Sequence, residues 1–245
     1  MKGLHHAEAT ESRRRPHAAE ATESRRRPHP AEATESRRRG DKETRDRLLR
    51  SAERLFAERG FKDVTVRAIC RAARANVAAV NYHFGDKLGL YREVLRSATE
   101  RMRETNDAAR LAGEGQTPEG QLRTYLTLFL SRLLAAGTDN TVYRLITREL
   151  NEPTPAIDDL IEQGLRPRID FVAGLVGAIM GCAPTDRRVI RSVASIQTQL
   201  LAYLPNPVWE RMGLLPKPTP SHAQEIARHI ADFSIAGIRA LARQS

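Results

Sequence analysis

Thr65–Tyr91, TVRAICRAARANVAAVNYHFGDKLGLY, is the stretch on which the reading of this chain turns. Thr65, Asn76 and Asp86 each carry a short side-chain oxygen that suits a helix N-cap, where it accepts from the free N–H groups of the first turn. After Thr65, the residues Val66, Ile69, Cys70 and Ala73 recur at helical spacing. Arg74-Ala75 breaks that run. Asn76 opens a second helix from Val77 to about Tyr82, and Asp86 opens a third with Leu88, Leu90, Tyr91, Val94 and Leu95 on its apolar side. A two-turn helix is not stable alone, so its neighbours must hold it. Two such helices at a corner, with Arg67, Arg71, Arg74 and Lys87 along them, point to a helix-turn-helix for the major groove. If the corner needs a positive φ, a side chain at Arg74 costs about 1 kcal/mol there.

The segment Thr44–Leu95 resembles the DNA-binding domain of the TetR family of transcriptional regulators. That family's pattern runs threonine, three residues, isoleucine-alanine, two residues, alanine-glycine-valine-serine, a short recognition helix, then tyrosine-x-phenylalanine, two residues and lysine. This chain supplies Thr65, Ile69, Cys70, Ala73, Arg74, Ala75, Asn76, Tyr82, Phe84 and Lys87, with Cys70 for alanine, Arg74 for the turn glycine, Ala75 for valine and Asn76 for serine. The run Ala78–Phe84 and the distal RELNEPTPAIDDLIEQGLRP, Arg148–Pro167, are similar to the subgroup with a CecR-like C-terminal domain. The resemblance covers about Thr44 to Gln244. It implies an all-α fold: an N-terminal three-helix helix-turn-helix domain, then a helical ligand-binding and dimerisation domain.

Composition agrees with two modules. The 245 residues carry a formal charge of +10. Residues 1–40 hold 10 basic and 6 acidic side chains (net +4), residues 41–96 hold 13 and 8 (net +5), and residues 97–245 hold 17 and 16 (net +1). The positive excess sits on the N-terminal tail and the helix-turn-helix, which suits nucleic acid. The expected division is a disordered basic tail at 1–40, a DNA-binding domain at 41–96 and a regulatory domain at 97–245. No apolar run is long enough to span a membrane, and no secretory leader pattern is visible at Met1, so a cytoplasmic protein is expected. Cys70 and Cys182 lie far apart in apolar helical settings and are expected to be free buried thiols.

AEATESRRR occurs three times, at Ala7–Arg15, Ala19–Arg27 and Ala31–Arg39. With almost no large apolar residue to bury, the segment reads as unstructured. Either its Arg clusters touch phosphates beside the main site, or it is a duplicated coding segment without a role. His5, His6, His17 and His29 have no folded frame to hold a metal, and no metal or cofactor is expected. Further on, Asp41–Arg59 shows the apolar stripe Leu48, Leu49, Ala52, Leu55 and Phe56, with Gly60 as its stop. Arg45 near its start is a candidate phosphate contact, and Phe61 and Val64 are expected to plug the small core. The helix opened by Asp86 runs to about Ala112 and links the two halves. Later helices are expected to open at Thr117-Pro118, about Asn140, Thr154-Pro155, Thr185 and Ser221, with a kink at Pro167. No period-two alternation appears, so no sheet is expected.

The candidate DNA contacts are Thr65, Arg67, Asn76, Val77, Ala78, Ala79, Asn81, Tyr82, His83 and Lys87. Small residues let the backbone approach a groove. Ala and Val meet thymine methyls, and Asn81 suits bidentate pairing with adenine. Thr65, Arg67, Tyr82, His83 and Lys87 are better placed for phosphates. Arg71 and Arg74 read equally well as solvated, and Phe84 as core. The last two long helices mix small residues with large apolar ones, which favours close helix packing. The family pairs these helices with those of a second copy, and the residues assigned to such an interface are Ala194, Gln197, Leu201, Ile230, Ser234, Gly237 and Leu241. The family also encloses an effector pocket between linker and dimer face. The residues so assigned are Tyr125, Phe129, Tyr143, Arg148, Phe171, Met180, Gln197 and Trp209, suited to an apolar, drug-like molecule. Each of these also reads as ordinary core or surface.

The expected function is a repressor that binds a palindromic operator in double-stranded DNA as a homodimer and is released by a small apolar effector. The alternative is a non-inducible or architectural DNA binder that uses the basic tail. An enzyme is not expected: no Gly-rich phosphate loop, nucleophile elbow, metal-ligand spacing or paired-carboxylate frame appears.

Overall fold

A computed structural model describes residues 30–135, 141–203, 211–213 and 219–244. The chain divides into two units, at residues 1–40 and 41–245. The described residues are helical and contain no strand: α1 (Pro30–Asp63), α2 (Val66–Ala73), α3 (Val77–Phe84), α4 (Lys87–Ala112), α5 (Pro118–Ala135), α6 (Thr141–Asn151), α7 (Ile157–Leu160), α8 (Arg166–Met180), α9 (Arg187–Ala202) and α10 (Ala223–Ala242). No described helix is long and apolar enough to cross a membrane.

Helix α1 begins at Pro30 rather than Asp41, so the third copy of the repeat is helical and not unstructured; its Ala and Glu residues are good helix formers. The first two copies lie outside the described residues. Gly60 breaks α1 with φ 82°, as its place after the apolar stripe suggested. The next three helices are built by the caps read in the sequence. Thr65 Oγ1 accepts from Ala68 N at 3.2 Å, Asn76 Oδ1 from Ala78 N at 3.1 Å and Asp86 Oδ1 from Gly89 N at 2.7 Å. At the corner between α3 and α4, a Cβ on Gly89 would stand 2.0 Å from Phe84 O, so only glycine permits this approach.

Two apolar clusters follow. The first joins α1 to the first half of α4 through Leu48, Phe56, Ile69, Val80, Leu90 and Val94, with Phe61 packed against it and Val64 within it. The second joins α5, α8, α9 and α10 through Leu122, Tyr125, Leu130, Val176, Ile196 and Ile230. Helix α4 spans both, placing Tyr91 in the first and Ala109 in the second.

Four local expectations change. Pro167 does not interrupt a continuous α-helix: a π-helical segment, Ile161–Leu165, precedes it and places it in the first turn of α8, where its missing N–H is harmless. Asp186, not Thr185, caps α9. Thr219, not Ser221, opens the last helical stretch through a capping box with His222 and a short 3-10 turn. Cys70 is buried, but Cys182 lies half-buried in the turn after α8 rather than in a helix.

Candidate nucleic-acid interface and effector cavity

Helix α3 packs inward through Val80, which is fully buried, and through the half-buried Phe84. Its other side is open. Val77, Ala78, Asn81 and Tyr82 face solvent together, and Tyr82 is 76% exposed. Thr65, Arg67 and Asn76 are exposed beside them, whereas Ala79 and His83 are half-buried. Tyr82 meets only the edge of its neighbour His83 among the described rings, at 4.9 Å between centroids, and an exposed apolar-polar-aromatic ridge of this kind is what a groove-reading helix requires. The corner behind it is held by Arg47, whose Nε donates to Ala73 O at 3.2 Å. Arg74 occupies the left-handed region, φ 50° and ψ 49°, and its N–H bonds Arg71 O, with Ala75 N bonding Cys70 O at 3.0 Å. The corner thus needs the conformation that favours glycine and takes it with arginine.

Two expected phosphate contacts are otherwise engaged. Lys87 Nζ lies 4.4 Å from the Phe61 ring and donates to Lys62 O at 3.4 Å. Burial there lowers its pKa, against the opposing pull of Asp63. Arg45 pairs with Glu93 at 2.9 Å and lies over the Phe84 ring. Glu93 also accepts from Arg96 at 2.8 Å, and mainly that bond holds its carboxyl below its ordinary range.

A cavity of about 380 Å³ opens between α4, α5, α6, α8 and α9. Phe129, Leu133, Tyr143, Ile146 and Leu165 supply apolar wall; Arg101, Asn106, Arg132, Arg168 and Gln197 supply polar wall. Its volume falls in the range of small-molecule sites. Of the residues assigned to a pocket, Phe129, Tyr143 and Gln197 line it. Tyr125 does not: it is fully buried behind the wall, within 5.9 Å of the Phe129 ring. Phe171 packs edge-on against Tyr125, and Met180 belongs to the core. Trp209 lies outside the described residues. Arg148 is elsewhere altogether. Its Nε donates to Ala57 O at 3.0 Å and its Nη2 to Glu58 O at 2.8 Å, gripping the end of α1. Its neighbour Glu149 is 1% exposed and accepts from Tyr91 Oη at 2.8 Å, Thr154 N at 2.8 Å and Thr154 Oγ1 at 2.9 Å. Burial, and then the bond to Glu149, pushes the Tyr91 phenol far above its ordinary value, so it remains a donor. Of the polar wall, only Gln197 was assigned from the sequence; Arg101, Asn106, Arg132 and Arg168 were not. The available signal was Thr105-Asn106, polar residues on the face of α4 that also carries Ala98 and Ala109.

The interface residues assigned on α9 and α10 divide. Ala194, Gly237 and Leu201 are exposed, with Leu201 45% so and also lining the cavity. Ile230 and Ser234 are buried within the subunit, because α9 and α10 pack there and Gln199 Nε2 donates to Ser234 Oγ at 3.2 Å. Gln197 faces the cavity, and Leu241 packs on the core. The apolar residues left outside are Ile190, 49% exposed, and Phe233, 67% exposed.

An exposed helix with a capped corner behind it and an all-helical body bearing a cavity define a helix-turn-helix regulator. Comparison with known proteins agrees. Residues 48–94 match the family described as bacterial regulatory proteins, tetR family, and residues 118–238 match the C-terminal domain of the HTH-type transcriptional dual regulator CecR. The chain belongs to the TetR family, with a C-terminal domain of the CecR type. It is 27% identical to the HTH-type transcriptional dual regulator CecR of Shigella flexneri over 66% of this chain and 76% of that one. It is 40% identical to the HTH-type transcriptional repressor AcnR of Corynebacterium glutamicum, over 26% of this chain and 36% of that protein. The fold matches a TetR-family regulator from Streptomyces coelicolor with TM-score 0.61, at 18% identity, covering 81% of this chain and 97% of that one.

Proposed function

We propose that this protein is a ligand-responsive repressor that binds a palindromic operator as a homodimer and leaves it when a small molecule with an apolar body fills the cavity. In this reading residues 41–96 bind DNA, residues 97–245 regulate and dimerise, and the protein works in the cytoplasm. The observation that carries the reading is the double role of α6. One side of it, Tyr143 and Ile146, forms cavity wall; the next residues, Arg148 and Glu149, grip α1 and α4 of the DNA-binding part. A ligand that prefers a displaced α6 therefore prefers a displaced recognition helix, and that difference in affinity is the coupling energy. Dimerisation through the outer faces of α9 and α10 would set two copies of α3 one helical turn of DNA apart.

Footprinting with the purified protein on DNA flanking its own gene tests this. The expected result is protection of an inverted repeat, with Asn81→Ala losing preference at one base pair of each half-site, about 1–3 kcal/mol, while salt-dependent binding persists. Sequence-blind coverage by both proteins would overturn the repressor reading.

A further inference from the structure

The cavity is apolar in most of its wall, yet it concentrates the unpartnered polar atoms of the fold. Among the described residues, the buried side-chain nitrogens and oxygens without a hydrogen-bond partner are Arg101 Nε, both amide atoms of Asn106, Tyr125 Oη, Arg168 Nε and Gln197 Nε2. Four of these five residues line the cavity, and the fifth, Tyr125, lies directly behind it. Asn106 is 6% exposed, so water outside the protein does not serve it. Buried polar groups are nearly always paired, and a cluster of exceptions marks a place where a partner is missing. The imbalance is directional. Four of these six atoms, Arg101 Nε, Asn106 Nδ2, Arg168 Nε and Gln197 Nε2, are N–H donors and Tyr125 Oη is a hydroxyl, whereas Asn106 Oδ1 is the sole obligate acceptor. What fits them is an acceptor.

The charge points the same way. Arg132 donates to the Thr105 hydroxyl at 2.7 Å, and Arg168 lies over the Phe129 ring with its carbon 5.5 Å from the centroid. Neither has a carboxylate within ion-pair distance among the described residues, while Arg101 is already paired with Glu53 of α1. Burial pushes the Tyr125 and Tyr143 phenols up; the Arg168 charge and then the nearby Gln197 amide oppose this at Tyr125, and Thr147 and then Arg168 oppose it at Tyr143. Glu104 is the one acid of the wall, and it is exposed. A guanidinium without a carboxylate partner among the described residues, in a cavity that the Asn106 and Gln197 amides also line, suits a carboxylate in both charge and geometry.

We propose that the effector is an amphipathic carboxylic acid, its carboxylate seated against Arg168, Asn106 and Gln197 and its apolar body along Phe129, Leu133 and Ile146. This rests on reading the cavity as the effector site, and it narrows the ligand from any apolar molecule to one with an anionic head. Tight binding then has a purpose beyond filling space: it supplies the acceptor that the buried donors lack.

The test uses the full-length protein with Nile red as a neutral cavity probe and with matched pairs, dodecanoate and methyl dodecanoate, 1-naphthoate and methyl 1-naphthoate. Displacement of Nile red is expected to favour each acid over its ester by about tenfold or more, the worth of one hydrogen bond to a charged group. Arg168→Met is expected to erase that preference. Asn106→Asp, which keeps shape and adds a like charge, is expected to reverse it. Equal affinity of acids and esters, or an acid preference that survives both substitutions, would overturn the proposal and leave the effector site standing. Failure of Nile red and of every pair to bind would overturn the effector site and the proposal together.

Discussion

Arg74 is the residue at which local rules and the fold disagree most. Its left-handed backbone is the sole positive φ outside glycine among the described residues. Such a conformation crowds Cβ against the carbonyl, which glycine avoids. The backbone bonds Arg74 N to Arg71 O and Ala75 N to Cys70 O hold the turn regardless. Arg74→Gly is therefore expected to raise stability by about 1 kcal/mol in urea unfolding; a loss instead would mean that the side chain contributes more than its backbone costs. At this scale the caps Thr65, Asn76 and Asp86 were legible in the sequence, because a cap and its N–H lie within three residues. Lys87 was not, because its resting place over Phe61 depends on how α1 and α4 meet.

At the scale of elements, α6 does what its sequence did not announce. RELNEP reads as the end of an amphipathic helix, but the partners of Arg148 and Glu149 lie 91 and 58 residues away. Tyr91 and Glu149 form a buried, charge-assisted bond between α4 and α6. Tyr91→Phe removes the donor and leaves the carboxylate with Thr154 alone, at a cost of about 1.5–3 kcal/mol. The expected outcome is a lower melting temperature together with operator binding that responds less to effector. An unchanged response with a lowered melting temperature would confine this bond to stability. The π-helical segment before Pro167 belongs to the same scale: the proline was visible, but the way the chain widens to accept it depends on packing around Gly164, where a Cβ would stand 3.1 Å from Thr99.

Over the whole molecule, the proposed dimer would hold two small recognition surfaces a fixed distance apart, and the outer side of α10 offers a face for that. Phe233 is 67% exposed and, among the described rings, stacks on His229, with Ala236 and Gly237 exposed beside it. In the proposed dimer, burial of this large apolar side chain against a second copy would stabilise the pair. Phe233→Asp is expected to give a monomer in sedimentation equilibrium and to weaken operator binding at least a hundredfold, since two half-sites then bind independently. A variant that remains dimeric would place the interface elsewhere.

The class of fold, the order of most helices and the place of the short, capped helix α3 follow from the sequence alone, because period, caps and turn residues act over a few positions and need no knowledge of distant chain. Two surfaces needed the tertiary structure. Which side of α9 and α10 faces outward depends on the partners those helices choose, so Ile230 and Ser234 went inward and Phe233 stayed out. The cavity's polar wall draws Asn106, Arg168 and Gln197 from three helices. Asn106 and Arg168 are unremarkable in their own segments, and only their convergence with Gln197 gives the three a common chemistry.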